Sequence, residues 1–211
     1  MDDAIIWPYD KSKRYTVKSF YKILNLYSRG SELAEHRKIG LGFVWGATVP
    51  SKVKFFGWRL LMDRLPTRKQ LRKRGIILQQ QDAVCVFCHL EEEDINHLML
   101  SCATLKPLWR KICSWLELDM PTNLDCCSHM LSCIEKMSGK MARNRAGAVW
   151  LTICWGIWKY RNDIVFNNAV VDIDELFVLI IFSSWWWLAI DSRDRILSSF
   201  YDWFHNPFLC L

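Results

Sequence analysis

The sequence predicts a mainly α-helical protein, with a helical domain that contains an irregular cysteine-bearing loop and is followed by a helical extension. Two observations predict this class. Apolar residues recur at the three- and four-residue spacing of a helix in several long segments. Regular alternation of strands and helices, which would indicate a parallel sheet, is missing from the sequence.

The first segments predict an extended entry, a helix and a loop. Residues 11–16 are polar and suit a short strand or an extended entry. Val17 and Phe20 then begin a helical pattern. Residues 28–42 are polar and contain Gly30, Gly40 and Gly42, which predicts a loop.

Two helices are expected between residues 50 and 75. The first follows Pro50 and is strongly apolar, with Phe55 and Trp58 broadening its buried stripe. The stripe itself consists of Val53, Phe56, Gly57, Leu60 and Leu61. Pro66 stops this helix, and Thr67 is a suitable N-cap for a short helix that Gly75 ends. We expect Trp58 and Trp109 to lie in the core.

The second half predicts four more helices. Their expected ranges are 104–116, 128–137, 140–167 and 172–190, and Pro207 marks a frayed tail. The predicted domains are therefore a domain over 1–116 that contains the cysteine-bearing loop, a linker with a short helix over 117–139, and a helical extension over 140–211. Trp185, Trp186 and Trp187 cannot all face one way on a helix, so at least one should be exposed or covered by a partner.

Composition excludes several classes of protein. Of 211 residues, 51% are apolar, which argues against global disorder. The longest charge-free apolar stretch, residues 176–190, is shorter than the roughly 20 residues of a membrane span, so a buried helix is expected there. Nine cysteines without a secretory signal predict free thiols and an intracellular location, nuclear or cytoplasmic.

Positive charge is concentrated in residues 51–74. Nine cations stand there against one acid, Asp63, so this segment outweighs the net charge of +6 of the whole chain. The cations are Lys52, Lys54, Arg59, Arg64, Arg68, Lys69, Arg72, Lys73 and Arg74. Such a cluster predicts contacts with nucleic-acid phosphates. Alternatively, these residues form a solvated face or pair with the acidic run at 91–94.

Four residues have the spacing of a zinc site. Cys85 and Cys88 form a Cys-x2-Cys turn, and His97 and Cys102 follow at a spacing of His-x4-Cys. Three thiolates and an imidazole, with no water, make a closed structural site for one zinc ion. Leu98, Met99 and Leu100 should anchor the second half of this CCHC loop in the core. His89 is expected to be exposed, and Cys126 and Cys127 are read as free thiols.

These motifs together resemble a known family. The run from Val49 to Ile76 contains Val-Pro-Ser-Lys-Val, Phe-Gly-Trp-Arg-Leu, Leu-Pro-Thr-Arg and Leu-Arg-Lys-Arg-Gly-Ile. The cysteine pair, Glu-Asp-Ile-Asn-His-Leu at 93–98, Cys102 and Leu108-Trp109 follow. This order resembles the zinc-binding domain that follows the reverse transcriptase of plant non-LTR, LINE-type retrotransposons. Residues 155–162 are similar to the segment that often links this domain to a ribonuclease H domain.

The resemblance implies a fragment of a retroelement polyprotein, or a host gene derived from one. It implies a non-catalytic module that holds RNA or single-stranded DNA, in which His89 or Phe87 could stack on a base. The chain has neither the Tyr/Phe-x-Asp-Asp polymerase motif nor a recognisable ribonuclease H carboxylate set, so no enzymatic activity or small-molecule substrate is expected. Two alternatives are a scaffold that docks a polymerase or ribonuclease H domain, and a decayed fragment without selected function.

Overall fold

The computed structural model describes residues 6–27, 33–76, 79, 83–120, 125–191 and 199–207. Within these ranges the protein is mainly helical, which confirms the predicted class. The described residues contain no β-strand, only an isolated antiparallel bridge between Val84 and Glu92. The chain divides into two compact units, Met1–Ala34 and Glu35–Leu211. The domain boundaries predicted at 116 and 139 stay a prediction.

The unit Met1–Ala34 contains helix α1, Val17–Tyr27, as the sequence predicts. Thr16 and Ser19 close its first turn: the Ser19 N–H donates to Thr16 Oγ1, and the Thr16 N–H donates to Ser19 Oγ. Before the helix, the ring of Trp7 lies edge-on to Tyr9 and Tyr15, with centroids 5.2 and 5.0 Å apart. Aromatic contacts therefore hold this short unit together.

The unit Glu35–Leu211 contains eight α-helices in its described residues, together with the loop of the predicted zinc ligands (the zinc loop, residues 85–102). They are α2 (Glu35–Gly46), α3 (Ser51–Leu61), α4 (Arg68–Lys73), α5 (Lys106–Trp115), α6 (Cys126–Glu135), α7 (Lys140–Asn167), α8 (Ile173–Asp191) and α9 (Phe200–His205). Helix α7 lies at the centre, because α2, α3, α6 and α8 all pack against it.

Close approach of helices to α7 depends on two glycines. A Cβ atom on Gly57 of α3 would lie 2.6 Å from Leu151 Cδ2 of α7. A Cβ atom on Gly156 of α7 would lie 2.7 Å from Ile180 Cγ1 of α8. Both distances are shorter than real carbon contacts, so a larger residue at either position would force Leu151 or Ile180 to shift.

A buried histidine joins α6 to the core. The His129 ring lies edge-on to Trp109, and its Nδ1 accepts a hydrogen bond of 3.0 Å from Trp150 Nε1. Burial lowers the pKa of His129 to about 4. The imidazole is therefore neutral near pH 7, as an acceptor at Nδ1 requires.

The prediction of a loop over residues 28–42 is wrong from residue 35 onward. Residues 28–32 lie outside the described residues, but Glu35–Gly46 forms α2. Gly40 is buried in this helix, and a Cβ atom there would lie 2.7 Å from Cys127 Sγ. Gly40 therefore allows close helix packing, whereas it was interpreted from the sequence as a sign of a loop.

Helices α3 and α4 form the predicted corner. All five residues of the predicted stripe on α3 are buried, and Thr67 Oγ1 accepts a hydrogen bond from the Gln70 N–H at the start of α4. Gly75, with a φ of +71°, follows the end of α4. Trp109 is buried as expected, but the expectation for Phe55 and Trp58 is wrong: both are exposed. Only one face of α3 is covered by α2 and α7.

The frayed tail predicted near Pro207 is also wrong in part, because Phe200–His205 forms α9. Ser199 caps this helix, and Trp203 is fully buried. Trp203 Nε1 donates to the Ile181 carbonyl and to Ser184 Oγ of α8. The six-residue helix is too short to show a periodic pattern in the sequence. Trp115 Nε1 also donates to the Phe204 carbonyl, so several contacts attach α9 to the core.

Helix α8 keeps an apolar face toward solvent. It is long and apolar enough to cross a membrane over Ile173–Ile190, but only by length and composition, which a core helix of a soluble protein also satisfies. Within that window 28% is buried. Its exposed apolar residues are Val178, Leu179, Phe182, Trp186 and Ile190, which we call the α8 stripe. The prediction that at least one of the three consecutive tryptophans is exposed is confirmed by Trp186.

Candidate metal centre

The first pair of candidate ligands lies on a tight turn. The Cys85 N–H donates to the Glu91 carbonyl, and the His89 N–H donates to the Cys85 carbonyl. His89 adopts a positive φ of 54°, which turns the chain back after Cys88. The turn therefore presents both thiols to the same side, while His89 is exposed as predicted.

The second pair is placed by a single π-helical turn, His97–Ser101. The Cys102 N–H donates to the His97 carbonyl, five residues back, instead of four as in an α-helix. This wider turn suits the His-x4-Cys spacing. Leu98, Met99 and Leu100 are buried, which confirms the expected anchoring of this half in the core.

The four side chains converge as the spacing predicts. The ligand atoms of Cys85, Cys88, His97 and Cys102 all lie within 4.8 Å of one another. Cys85 Sγ and Cys102 Sγ are 3.8 Å apart, and Cys88 Sγ lies 3.4 Å from His97 Nε2. A tetrahedron with Zn–S and Zn–N bonds of about 2.3 and 2.0 Å has edges of roughly 3.8 and 3.5 Å. The arrangement therefore fits tetrahedral zinc.

Backbone N–H groups surround the two buried sulfurs. Those of Phe87 and Cys88 hydrogen bond to Cys85, and those of Thr104 and Leu105 hydrogen bond to Cys102. The Cys85–Cys102 hydrogen bond raises the pKa of Cys85, an effect that burial reinforces, and it lowers the pKa of Cys102. Such N–H groups stabilise thiolates, the form in which cysteine binds a metal.

Glu91 orients the histidine ligand. Its carboxylate lies 3.2 Å from His97 Nδ1, while Nε2 faces the cysteines. A hydrogen bond from Nδ1–H to a carboxylate fixes the tautomer that leaves Nε2 able to bind a metal. From the sequence, the acidic run was considered only as a possible partner of the basic residues, so this role of Glu91 is an addition from the structure.

Glu92 and Asp94 attach the zinc loop to α4. Lys69 Nζ lies 3.2 Å from Glu92 and 3.0 Å from Asp94, and Arg72 also pairs with Glu92. Asp94 Oδ1 further accepts from the His97 N–H. Burial acts to raise the pKa of Asp94, but the hydrogen bonds from His97 and Lys69 outweigh it and the pKa lies below its usual value.

Glu93 joins the zinc loop to two helices. Its side chain is fully buried, and Oε1 accepts from the Arg68 N–H at 3.0 Å and from Arg161 Nη2 at 2.7 Å. Arg161 is also buried, and its guanidinium lies 5.2 Å from the centroid of the Trp158 ring. Sequence reasoning missed this pair because 68 residues separate its members. The acid at 93 inside a charged run gave no signal of burial.

The nine cations of residues 51–74 divide into two groups. Four are partly buried and donate hydrogen bonds within the protein: Lys54, Arg68, Lys69 and Arg72. Five are exposed: Lys52, Arg59, Arg64, Lys73 and Arg74. Of these, Arg59 Nη2 also donates a hydrogen bond of 3.3 Å to the Arg64 carbonyl. The alternative in which the basic helix pairs with the acidic run thus holds for Lys69 and Arg72, and the Arg68 N–H donates to Glu93.

Phe87 and the cysteine pair Cys126 and Cys127 were also the subject of predictions. Phe87 is buried and its carbonyl accepts from Thr104 Oγ1, so the expectation that it could stack on a base is wrong. Cys126 and Cys127 are buried free thiols outside the cluster, as predicted. Burial raises the pKa of Cys127 to about 11, which keeps this thiol protonated at neutral pH.

Residues 15–109 match a family of domains described as zinc-binding in reverse transcriptase. No curated protein and no solved structure matches the chain. The matched segment contains all four members of the Cys/His cluster and ends within α5. The match supports a reverse-transcriptase-associated zinc-binding domain in this part of the chain, and together with the cluster it suggests zinc as the metal.

We expect Glu93→Gln to destabilise the protein by about 3–5 kcal/mol, because it leaves the Arg161 guanidinium buried without a counter-charge. Glutamine retains an oxygen that can accept from the Arg68 N–H, so the substitution isolates the loss of charge. Equilibrium urea unfolding, followed by far-UV circular dichroism, measures the difference.

The matched control is Glu92→Gln, which removes two partly exposed ion pairs of the same loop, each contributing less than about 1 kcal/mol. A Glu93→Gln, Arg161→Gln double variant should lose less than the sum of its single variants. Equal effects of the two single glutamate variants would contradict a special role for the buried pair.

Proposed function

We propose that this chain is a non-catalytic zinc module from the reverse transcriptase polyprotein of a plant LINE-type retrotransposon, and that it contacts RNA or DNA through its α3–α4 corner. The observation that carries this proposal is the exposure of five cations on and beside the two helices. Neither α3 nor α4 contains an acidic residue. One structural zinc ion would hold the loop whose acids orient α4.

In this proposal the zinc loop holds α4 in position, and the exposed cations contact the nucleic acid. The loop engages Lys69 and Arg72 through Glu92 and Asp94, which fixes α4 in place. Lys73 and Arg74 at the end of α4, with Arg64 in the corner, then remain exposed to solvent. Exposed cations release counterions from a nucleic acid, whereas internally paired ones contribute mainly to the fold.

We expect one zinc per chain in protein purified without chelator, and its loss in a Cys85→Ser, His97→Ala double variant. Helical signal should fall with the metal, because binding free energy of a structural zinc site is part of the folding free energy. Elemental analysis and circular dichroism on the same samples provide the two readings.

Cys113→Ser is the control for this experiment. Cys113 is a buried thiol whose Sγ contacts the Asp119 carbonyl outside the cluster, and serine can keep that hydrogen bond. This variant should retain its zinc. A metal-free parent with full helical content would contradict a structural zinc.

Replacing Lys73 and Arg74 by glutamine should weaken binding to single-stranded RNA or DNA and make it less salt-dependent. Each lost phosphate contact on a single strand lowers the slope of log K against log salt by about 0.7, so the pair should lower it by roughly 1.4. Fluorescence anisotropy titrations over a range of salt concentrations give this slope.

Lys106→Gln with Arg110→Gln is the matched control, since both residues are exposed cations on α5, away from the corner. The control should leave the slope unchanged. An equal reduction in both variants would point to general attraction by net charge and against the α3–α4 corner.

A second candidate function, docking to a polymerase or ribonuclease H domain, is favoured by the α8 stripe. The stripe is apolar, whereas the charges on α8 are those of Asp174, Glu175 and Asp191. A helix with an exposed apolar face and no cations suits a protein partner better than a nucleic acid. The two functions can coexist, because they use different helices.

If α8 docks such a domain, Phe182→Ser with Trp186→Ser should weaken association with a purified reverse transcriptase domain at least about tenfold, with little dependence on salt. Analytical ultracentrifugation at low and high salt measures this. Phe166→Ser removes an exposed aromatic side chain of α7 and should have no effect. Absence of any association by the parent chain would exclude docking to this domain.

A further inference from the structure

Three exposed aromatic rings lie at the junction of α2 and α3. Trp45, Phe55 and Trp58 are 46%, 58% and 39% exposed, although tryptophan and phenylalanine are usually covered in a monomer. The rings of Trp45 and Phe55 meet edge-to-face with centroids 5.5 Å apart. Phe55 and Trp58, three residues apart on one helix, lie on the same side of α3. We call these residues the aromatic platform.

The aromatic platform is attached to two helices that are anchored in the core. Val44 of α2 and Phe56 of α3, each adjacent in sequence to a platform residue, are buried and fix the two helices in the core. Lys54 Nζ donates a hydrogen bond of 3.1 Å to the Trp45 carbonyl at the end of α2. The rings are therefore held outward by helices whose other faces are anchored, so a ligand would meet them already in place.

Cations flank the platform. Lys52 precedes Phe55 by three residues and Arg59 follows it by four, so both lie on the same face of α3, and both are exposed. Lys52 Nζ also lies 6.0 Å from the centroid of the Trp155 ring. By contrast, the charges on α8 itself are all acidic. The platform is therefore complementary to an anionic ligand, because cations lie on its own helix face.

We infer that the aromatic platform binds unpaired bases of single-stranded nucleic acid by stacking, while Lys52 and Arg59 contact the adjoining phosphates. The inference rests on the proposed nucleic-acid function and adds to it a preference for single strands. In a duplex the base faces are already stacked on one another, whereas a single strand offers them to aromatic side chains. Stacking tolerates any base, so the platform confers little sequence preference.

Phe55→Leu with Trp58→Leu tests the inference, because leucine keeps an apolar side chain and removes the ring. Affinity for a fluorescein-labelled oligothymidylate should fall about tenfold or more, since each stacked base contributes substantially to such complexes. The salt slope should stay as in the parent, because no charge is lost. Affinity for a duplex of equal length should change little.

The matched control is Phe182→Leu with Trp186→Leu, which removes one phenylalanine and one tryptophan of similar exposure from the α8 stripe. It should bind the single strand like the parent. Phe55→Tyr, which retains a ring, should also bind like the parent, and this separates stacking from any effect of packing. Circular dichroism of each variant identifies a loss of fold.

The outcomes distinguish the inference from the function on which it rests. If the parent binds neither single strand nor duplex, the proposed function fails and the inference fails with it. If the parent binds with a steep salt slope and the Phe55→Leu, Trp58→Leu variant is unaffected, the function stands and the stacking platform is overturned. Equal losses in the platform and α8 variants would also overturn it.

Discussion

The buried carboxylate of Glu93 is the interaction on which the rest of the structure depends. It accepts hydrogen bonds from the Arg68 N–H at the start of α4 and from the Arg161 guanidinium of α7. The zinc loop, the basic corner and the central helix therefore meet at this carboxylate. A charge taken fully out of water is tolerated only when its partners are complete. The position of the zinc loop on the helices is therefore strongly restricted.

The acidic run of residues 91–94 shows how a charged segment can have several separate structural tasks. Glu91 faces the histidine ligand, Glu92 and Asp94 hold α4, and Glu93 points into the core toward α7. A metal bound by the loop and the cations of α4 are thus coupled through adjacent residues. Loss of the metal would be expected to loosen α4 as well as the loop, because Glu92 and Asp94 would lose their fixed positions.

Two exposed surfaces of the same unit differ in their chemistry. The aromatic platform has flanking cations on its own helix and lies beside the basic corner, whereas the α8 stripe is apolar and its own helix has only acidic charges. Both contain exposed tryptophan and phenylalanine, so hydrophobicity alone would not separate them. The charges around each patch suit the first to an anionic polymer and the second to a protein.

The sequence by itself determined those features that depend on local spacing. Residue periodicity and short motifs predict the four residues of the Cys/His cluster, the α3–α4 corner with its Thr67 cap, and the extent of α7. The tertiary structure decided which faces are covered: it buries Gly40 in a helix, exposes Phe55 and Trp58, and pairs Glu93 with Arg161. These outcomes could not be predicted because burial depends on contacts between segments far apart in the chain, and a single sequence contains no direct signal of such contacts.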